Sequence, residues 1–371
     1  MFGGWSVPVD GELQNGPFLG LDWFLLNILL LVLLFVPLER FWPLRMQSIF
    51  RPGSIYRKGY RDTSRDRALA ECARAYYWRY YGSHRGWSPE APAEARNAYA
   101  LKQLTTFPMI VGTAVHECAR DYALAVRNGT PRPSFEVMLA RVSDALNRAV
   151  LGAHHRAGFL RDPKRFVMLR DAWQAGRPDS SGLPAAVAKA RLCLRSLEAS
   201  PVWQDLEGCR PEWVTAPDGP EAFVHEGWPI YAGPDLVYRP DERRIVILDW
   251  KTGDDSDAEL QIALYALYCR AVLGLPFHDD EWFGRVVNLS TGDDTTFEIS
   301  RLDVMHAAER IRDSVQAMQT LLADPDRNAP RPISDFPLPE PERRRGCPYC
   351  PFYALCHDEL EEADFARGRE A

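Results

Sequence analysis

The sequence has no excess of basic residues, no phosphate-binding P-loop and no typical secretory signal. Its 44 Lys and Arg residues are outnumbered by 51 Asp and Glu residues, giving a formal net charge of -7. This balance argues against a uniformly basic nucleic-acid binder, although it permits a local basic groove. The pattern GxxxxGK[ST] is absent, so the chain carries no helicase motor of its own. The N-terminal residues are acidic, which is not typical of a signal peptide.

The composition is that of a globular protein. The chain has 371 residues, of which 46% are apolar and 26% are charged, so disorder is not the expected state. A chain of this length can bury a sizeable core in one large domain or two smaller ones. Its 11 Trp and 14 Tyr residues also provide aromatic surface on which unpaired bases could stack.

The N-terminal part contains one long apolar run. We expect residues 1–17, which are polar and contain Gly and Pro, to be a disordered leader. Residues 18–42 are predicted to form a membrane-anchor helix, and a buried core helix is the alternative. A basic linker, residues 43–63, follows the run. The positive-inside rule would keep this side in the cytoplasm, so we expect a cytoplasmic protein, anchored at the cytoplasmic face if the run spans the membrane.

A unit of two strands and a helix is predicted over residues 230–265. Ile230 to Tyr238 forms the first predicted strand, with Asp235 in its middle, and the turn RPDE follows. Arg244 to Trp250 is a second, strongly apolar strand. A helix is predicted to begin near Asp257 and to carry Gln261 and Tyr265, one turn apart on one side.

The second strand ends in a pattern that suits metal-assisted chemistry. Asp249 and Lys251 point to the same face because side chains alternate along a strand. Asp249 can meet Asp235 at the sheet end, where two carboxylates repel each other unless a divalent cation joins them. Oxygen ligands suit Mg²⁺ or Mn²⁺, and the nearby lysine can hold a water or screen charge on a phosphate. Asp-x-Lys alone is also compatible with ordinary surface charges on a hairpin.

The series GPD, DWK and QxxxY resembles the PD-(D/E)XK nuclease superfamily in its RecB-like branch. That branch includes the nuclease domains of AddAB-type helicase–nucleases (the AddB nuclease domain among them) and the CRISPR-associated exonucleases of the adaptation machinery. The resemblance implies an α/β fold with a restriction-endonuclease-like core, a mixed central sheet flanked by helices. It implies catalytic roles for the matching residues Asp235, Asp249, Lys251, Gln261 and Tyr265.

The resemblance also implies an upstream metal ligand. The segment from Gly112 to His116 matches the family setting G-x-x-x-H, so His116 is expected to bind the Mg²⁺ or Mn²⁺ together with Asp235 and Asp249. The backbone carbonyl of Trp250 is expected to add a further ligand.

The cysteines cluster at the C-terminus. Cys347, Cys350 and Cys356 give the spacing C-x2-C-x5-C. In a reducing compartment, metal ligation is favoured over disulfides, and thiolates at such spacing bind Zn²⁺ or an iron–sulfur cluster. The resemblance implies a [4Fe-4S] cluster with Cys72 as the fourth ligand; Cys118 is the competing cysteine. Zn²⁺ bound with Cys72 or His357 is the alternative.

These observations predict a nuclease domain over residues 64–330 with a helical insertion. A helix over Ser64 to Gly82 begins it, and a Pro-rich linker with the C-terminal cysteine motif follows over residues 331–371. The expected activity is metal-dependent hydrolysis of DNA, as an exonuclease on single strands or free ends, in repair, recombination or defence. A helicase or another repair or defence protein is an implied partner. The alternative is a non-catalytic nucleic-acid-binding or scaffold protein that retains the nuclease fold.

Overall fold

The computed structural model describes residues 62–219, 221–253, 258–277 and 281–367, together with Pro8–Val9 and Glu12–Leu13. The chain forms two units, Met1–Arg57 and Lys58–Ala371. In the first unit, Pro8–Val9 (β1) and Glu12–Leu13 (β2) pair antiparallel, within the leader for which no regular structure was expected. The rest of that leader, the predicted anchor over residues 18–42 and most of the basic linker lie outside the described residues. In the described part of the chain, no helix combines the length and the hydropathy needed to cross a bilayer.

The second unit begins with a helical part. Its helices are α1 (Asp62–Glu71), α2 (Ala73–Tyr77), α3 (Ala93–Lys102), α4 (Phe107–Asn128), α5 (Phe135–Gly152), α6 (Arg156–Arg161), α7 (Arg170–Ala175), α8 (Leu183–Glu198) and α9 (Val202–Glu207). A short π-helical segment, Trp78–Gly82, follows α2 directly.

The single helix predicted over Ser64 to Gly82 is interrupted at Cys72. Cys72 is extended, with φ -163° and ψ 112°, and its sulfur accepts a hydrogen bond from the backbone N–H of Ala75 at 3.4 Å. Cys72 therefore caps α2 instead of continuing α1, because a side-chain acceptor satisfies one of the free N–H groups at a helix start. Because of this break, the side chain of Cys72 does not follow the direction that a continuous helix would give it.

Helix α4 has clear signals at both ends. The Thr106 hydroxyl accepts a hydrogen bond from the backbone N–H of Met109, and Pro108 lies in the first turn, where its missing N–H costs nothing. Gly129 ends the helix in the left-handed conformation, with φ 62°. These two ends determine which residues are helical, and therefore where His116 lies along the helix.

The sheet that carries the candidate site has five strands. They are β3 (Val214–Thr215), β6 (Leu236–Tyr238), β7 (Arg244–Lys251), β8 (Glu281–Asn288) and β9 (Asp294–Glu298), in the order β3-β6-β7-β8-β9. Only β7 and β8 pair in parallel among these strands. Helix α10 (Ala258–Ala271) connects them, as a parallel pair requires a crossover. The mixed sheet flanked by helices confirms the predicted fold class.

The strand predicted over Ile230 to Tyr238 is two strands in two sheets. Its first part, Trp228–Ala232 (β5), pairs with Glu221–His225 (β4) in a separate hairpin. The prediction was wrong at Gly233 and Pro234, where the strand stops because proline has no N–H to offer a ladder. Asp235 consequently lies just before β6 instead of in the middle of a strand.

The two faces of the sheet are buried in separate cores. Val246, Leu248 and Trp250 of β7 face a core formed with α4, α5, α8 and α9. Ile245 and Ile247 face the opposite core, formed with α10 and α11 (Arg301–Thr320). Because side chains alternate, Asp249 and Lys251 lie on the α10 side.

The C-terminal segment packs back onto the first helices. A two-stranded sheet, β10 (Leu322–Asp324) and β11 (Ala329–Pro330), precedes two 3₁₀ segments, Ile333–Asp335 and Pro341–Tyr349, and α12 (Tyr353–Arg367). The region predicted as a Pro-rich linker is partly core. Its Phe336 is fully buried, and the Phe336 carbonyl accepts a hydrogen bond from Nε of Arg74 at 2.8 Å.

Candidate functional site

The pairing of β6 with β7 brings two carboxylates together. Leu236 pairs with Leu248 and Val237 with Ile247 in an antiparallel ladder. One step beyond the ladder, the same register places Asp235 opposite Asp249. The two acids therefore lie at the same end of the strand pair: Asp249 on the side of α10, where Tyr265 contacts it, and Asp235 beside His116 of α4.

Asp235 is held by the strand end and by α4. Its Oδ2 accepts a hydrogen bond from the backbone N–H of Trp250 at 2.7 Å, and its Oδ1 lies 3.3 Å from Nδ1 of His116. Since the N–H and C=O of one extended residue point to the same side of the strand, the carbonyl of Trp250 also faces Asp235. The GPD acid, the GxxxH imidazole and this carbonyl therefore share one corner of the site.

A hydrogen-bonded chain leads from Lys251 back to Asp249. Nζ of Lys251 lies 2.7 Å from Oδ2 of Asp249 and donates a hydrogen bond to Oε1 of Gln261 at 2.7 Å. Nε2 of Gln261 donates to the hydroxyl of Tyr265, which in turn contacts Oδ1 of Asp249 at 3.4 Å. The spacing of one helical turn in α10 allows both side chains to join this chain.

The buried charges shift one another. Asp249 is 4% exposed, and burial raises its pKa to about 6, helped by the charge of Asp235 and opposed by Lys251 and His116. Burial alone would lower the pKa of His116, but its hydrogen bond to Asp235 and the charges of Asp235 and Asp249 raise it. A buried carboxylate whose pKa a second carboxylate raises, beside an imidazole and an ammonium group, is typical of a functional site.

One cavity of about 300 Å³ joins these groups. It is lined by the expected residues His116, Asp235, Asp249, Trp250, Lys251, Gln261 and Tyr265, together with Thr252 and Gly253. Sequence reasoning missed the last two because no motif extends past the lysine. Two further acids that precede Asp235, Glu221 and Glu226, bond to Tyr268 and Arg312 and do not line this cavity.

The donor set suits a hard divalent cation, but the side chains are arranged as ion pairs. Two carboxylates, an imidazole and a carbonyl are ligands that Mg²⁺ or Mn²⁺ accepts. Oδ2 of Asp249 is buried and, apart from its ion pair with Lys251, has no hydrogen-bond partner among the described residues. Within the described ranges, no three His, Cys, Asp or Glu side chains stand close enough to hold one ion. Binding of one ion therefore requires these side chains to come closer together than they lie here.

The four expected cluster cysteines line a second cavity, of about 430 Å³. Cys72 projects into it from the break before α2, and the C-terminal Cys347, Cys350 and Cys356 approach from the other side. Burial raises the pKa of Cys350 to about 11, and the charges of Cys72 and Cys347 raise it further. Burial also raises the pKa of Cys356 to about 12. Neighbouring thiols in this setting resist ionisation unless a positive centre joins them.

A buried donor lies beside Cys356. The indole N–H of Trp78 completes no hydrogen bond within the described part of the chain, yet it lies near enough to Cys356 to oppose the effect of burial on the thiol. A buried N–H without an acceptor is costly, and a thiolate is a better acceptor than a thiol. The cavity thus fits a group that keeps Cys356 ionised.

The competing ligands lie elsewhere. The sulfur of Cys118 is buried between α4 and α5, with the carbonyl of Met138 at 4.0 Å. The ring of His357 faces Asp358 and Glu361, each at 3.4 Å. Neither side chain lines the cysteine cavity.

Comparison with known proteins identifies the family. A family model described as the PD-(D/E)XK nuclease superfamily matches residues 63–357. No curated protein matches the sequence. Among solved structures, one titled "Crystal structure of SSO0001" aligns at 15% identity over 57% of this chain and 82% of that chain, with a TM-score of 0.25. Overlap of this quality adds nothing to the assignment of fold or function.

Proposed function

Because the chain belongs to the PD-(D/E)XK nuclease superfamily, which implies nuclease activity, we propose that it hydrolyses DNA with a divalent cation. The observation that supports this most is that Asp235 and Asp249, at one end of the β6–β7 pair, line one cavity with Lys251. We further propose that it acts as an exonuclease on single-stranded or free-ended DNA, in repair, recombination or defence.

We assign the cation to the imidazole and carboxylate corner of the site. Nδ1 of His116, one oxygen each of Asp235 and Asp249, and the Trp250 carbonyl would hold Mg²⁺ or Mn²⁺. When bound, the cation supplies Lewis-acid stabilisation of the negative charge on the phosphate. The backbone N–H of Trp250 keeps Asp235 oriented for this task.

The remaining residues act on the water and the phosphate. Lys251 would orient the attacking water and offset charge that develops on the phosphate oxygens. Its ammonium group is positioned by the hydrogen bond to Gln261, so Gln261 sets the direction of the lysine. The hydroxyl of Tyr265 contacts both Gln261 and Asp249 and is proposed to keep them in register.

The test separates cleavage at ends from cleavage inside a strand. End-labelled linear single-stranded DNA and a circular single strand are incubated with the purified protein in Mn²⁺, Mg²⁺ or EDTA. We expect Mn²⁺-dependent loss of the linear substrate and survival of the circle. Cleavage of the circle would overturn the exonuclease assignment. Binding without cleavage in any metal would favour a non-catalytic nucleic-acid-binding or scaffold protein.

We also propose that Cys72, Cys347, Cys350 and Cys356 hold a [4Fe-4S] cluster. Its support is a cavity of about 430 Å³ that all four cysteines line. A single Zn²⁺ bound by these thiolates is the alternative. Anaerobic purification followed by iron, sulfide and zinc analysis is the test. A brown protein that bleaches on reduction is expected; a colourless protein with stoichiometric zinc would refute the cluster.

The setting of the enzyme is a separate proposal. The acidic leader, the apolar run over residues 18–42 and the basic linker support a protein in the cytoplasm, held at the cytoplasmic face of the membrane. Since the chain has no P-loop, a helicase or another repair or defence protein would supply unwound DNA. Fractionation of cells that express the full chain, compared with a chain lacking residues 18–42, would test the anchor: both forms in the soluble fraction would overturn it.

A further inference from the structure

A lysine outside every motif stands at the rim of the catalytic cavity. Lys189 lies on α8, and its Nζ is the nearest atom, at 4.0 Å, to the position that a side chain on Gly253 would take. Gly253 itself lines the catalytic cavity with Asp249 and Lys251. Lys189 makes no ion pair with a described residue, so its charge faces the space beside Gly253.

Gly253 is not required by the fold at this point. Its φ is not in the left-handed region, and an added Cβ would meet no atom closer than Lys189. A glycine that neither conformation nor packing demands leaves room for a ligand to approach the backbone. Among the described residues, only Lys189 comes within 4.0 Å of that Cβ position, and its ammonium group attracts an anion there.

Neighbouring elements fix the position of the backbone at Gly253. Nδ2 of Asn288 donates a hydrogen bond to the Gly253 carbonyl at 3.2 Å, and Oδ1 of Asn288 accepts one from the backbone of Ser290 at 2.9 Å. Burial raises the pKa of the Cys193 thiol, and the nearby charge of Lys189 and a contact with Ser290 oppose that rise. The end of β7, the β8–β9 turn and α8 thus meet beside the cavity.

The opposite side of the site has no comparable cation. A cavity of about 600 Å³ shares His116, Asp235 and Trp250 with the catalytic cavity and is lined further by Glu117, Arg120 and Asp218. Arg120 is already engaged there, with the Pro217 carbonyl and Asp218 each at 3.1 Å. On the side of Lys189, a phosphate would meet an ammonium group that no described acid pairs.

We propose that Lys189 and Gly253 form a phosphate-binding subsite for the DNA linkage next to the one that is cleaved. The subsite rests on the proposed function, since it locates the substrate strand relative to the catalytic cavity. Lys189 would contact the substrate as a point charge, which fits a phosphate oxygen. The strand would then enter along α8 and pass over Gly253 to reach Lys251.

The first test measures binding without cleavage. Binding of a fluorescent oligothymidylate is followed by anisotropy in EDTA at increasing NaCl, for the full-length protein and the variant Lys189→Ala. We expect affinity to fall on the order of fivefold at low salt. The slope of log affinity against log salt should decrease by about 0.7, the value for one lost phosphate contact on a single strand. Lys189→Arg should retain the slope.

Two further variants sharpen the comparison. Lys164→Ala removes an exposed lysine that lines neither cavity, and it should change neither affinity nor slope. Gly253→Ala adds a methyl group to the open space without a protein clash, and it should weaken binding at unchanged Tm.

The second test identifies the linkage. Oligothymidylates that carry one neutral methylphosphonate are scanned position by position. In the wild-type protein one position next to the cleaved bond should weaken binding, and in Lys189→Ala that same position should have no effect. Effects that remain equal at every position in both proteins would overturn the subsite.

The outcomes separate this inference from the nuclease assignment. If Lys189→Ala has the wild-type affinity and salt dependence and cleavage is intact, the subsite alone is overturned. If Lys189→Ala has a lower salt dependence but the wild-type protein cleaves no DNA, the subsite is supported and the nuclease function is overturned. A fall in Tm without a change in binding would mean that Lys189 only neutralises the acids that follow Gly253 in sequence, Asp254, Asp255 and Asp257, and would overturn the proposal. A wild-type protein with no affinity for oligothymidylate overturns it as well.

Discussion

The catalytic cavity is formed mainly by residues close in sequence, whereas the cysteine cavity is formed by residues from the two ends of the domain. Apart from His116, the expected catalytic residues lie between Asp235 and Tyr265, on two strand ends and the helix that follows. The cysteine cavity joins Cys72, near the start of the domain, to residues 347–356 at its end. Local strand register therefore determines the first site, whereas closure of almost the whole domain determines the second. We accordingly expect the first to govern chemistry and the second to govern stability.

The largest expected effect is the loss of cleavage in Asp249→Asn. The amide keeps the shape of the side chain but removes the charge that pairs with Lys251 and that would hold the cation. We expect a fall in kcat of about a thousandfold, the scale seen when one electrostatic group of an active site is removed. Rates on labelled single-stranded DNA in Mn²⁺ would be compared with the wild type.

A matched control lies in the same hairpin. Asp241 is half-buried in the turn before β7, where its Oδ1 accepts hydrogen bonds from the backbone N–H groups of Arg243 and Arg244. Asp241→Asn should keep full activity. Comparable losses in both variants, or cleavage at the wild-type rate by Asp249→Asn, would remove Asp249 from the site.

The next effect is a loss of stability in Cys350→Ser. If the cysteines hold a cluster that joins the two ends of the domain, its loss should lower Tm on the order of 5–10 °C, because cross-linking a long loop restricts the unfolded chain. Iron content should fall with Tm. Cleavage per folded molecule should remain within about threefold, as expected for a site that does not contact the substrate.

The control for this variant is Cys209→Ser. The sulfur of Cys209 contacts the carbonyl of Asp205 at 3.1 Å, away from the cysteine cavity. Equal changes in iron content and Tm in the two variants would show that the cavity holds no structural centre.

A third expectation concerns the contact that closes the domain. Arg74 is 5% exposed and bonds to the Phe336 carbonyl at 2.8 Å and to Glu359 at 2.5 Å. Arg74→Ala should cost about 2–3 kcal/mol of unfolding free energy, because it leaves a buried carbonyl unpaired. Chemical denaturation measures this loss.

Glu359→Gln separates the two contacts of Arg74. The glutamate is largely exposed, so breaking its ion pair should cost less than about 1 kcal/mol. A larger loss in Glu359→Gln than in Arg74→Ala would place the stabilising contact on the surface instead of at Phe336.

Sequence alone predicted the local site better than the long-range one. The apolar β7, the alternation of Asp249 and Lys251 and the helical spacing of Gln261 and Tyr265 follow from periodicity, which depends on neighbouring residues. The break at Cys72 does not follow from periodicity. The residues on both sides have a helical pattern, and the cap depends on a single side-chain hydrogen bond. Pro234 marks the end of β5, but the apolar residues on both sides of it predict one continuous strand.

Contacts between elements that are far apart in sequence could not be predicted from any sequence pattern. Lys189 has the spacing of an ordinary exposed residue on α8, and only the packing of α8 near the end of β7 brings it to Gly253. The packing of Phe336 against Arg74 depends in the same way on closure of the domain. Such contacts combine residues whose separation in sequence carries no periodic signal.

The smallest expected effect is that of Tyr265→Phe. The variant loses a hydroxyl that contacts Gln261 and Asp249 but keeps the buried ring. Loss of one such hydrogen bond corresponds to about 1 kcal/mol, so kcat should fall on the order of fivefold with KM little changed. A loss as large as that of Asp249→Asn would show that Tyr265 acts on the reacting atoms directly.

The central claim is that the β6–β7 register, with His116 of α4, forms one binding site for a divalent cation. Titration of metal-free protein with Mn²⁺, followed by electron paramagnetic resonance of the free ion, tests it most directly. We predict a Mn²⁺ site in the wild type and in Asp241→Asn that is lost in both Asp235→Asn and Asp249→Asn. Equal Mn²⁺ binding by all four proteins would contradict the account.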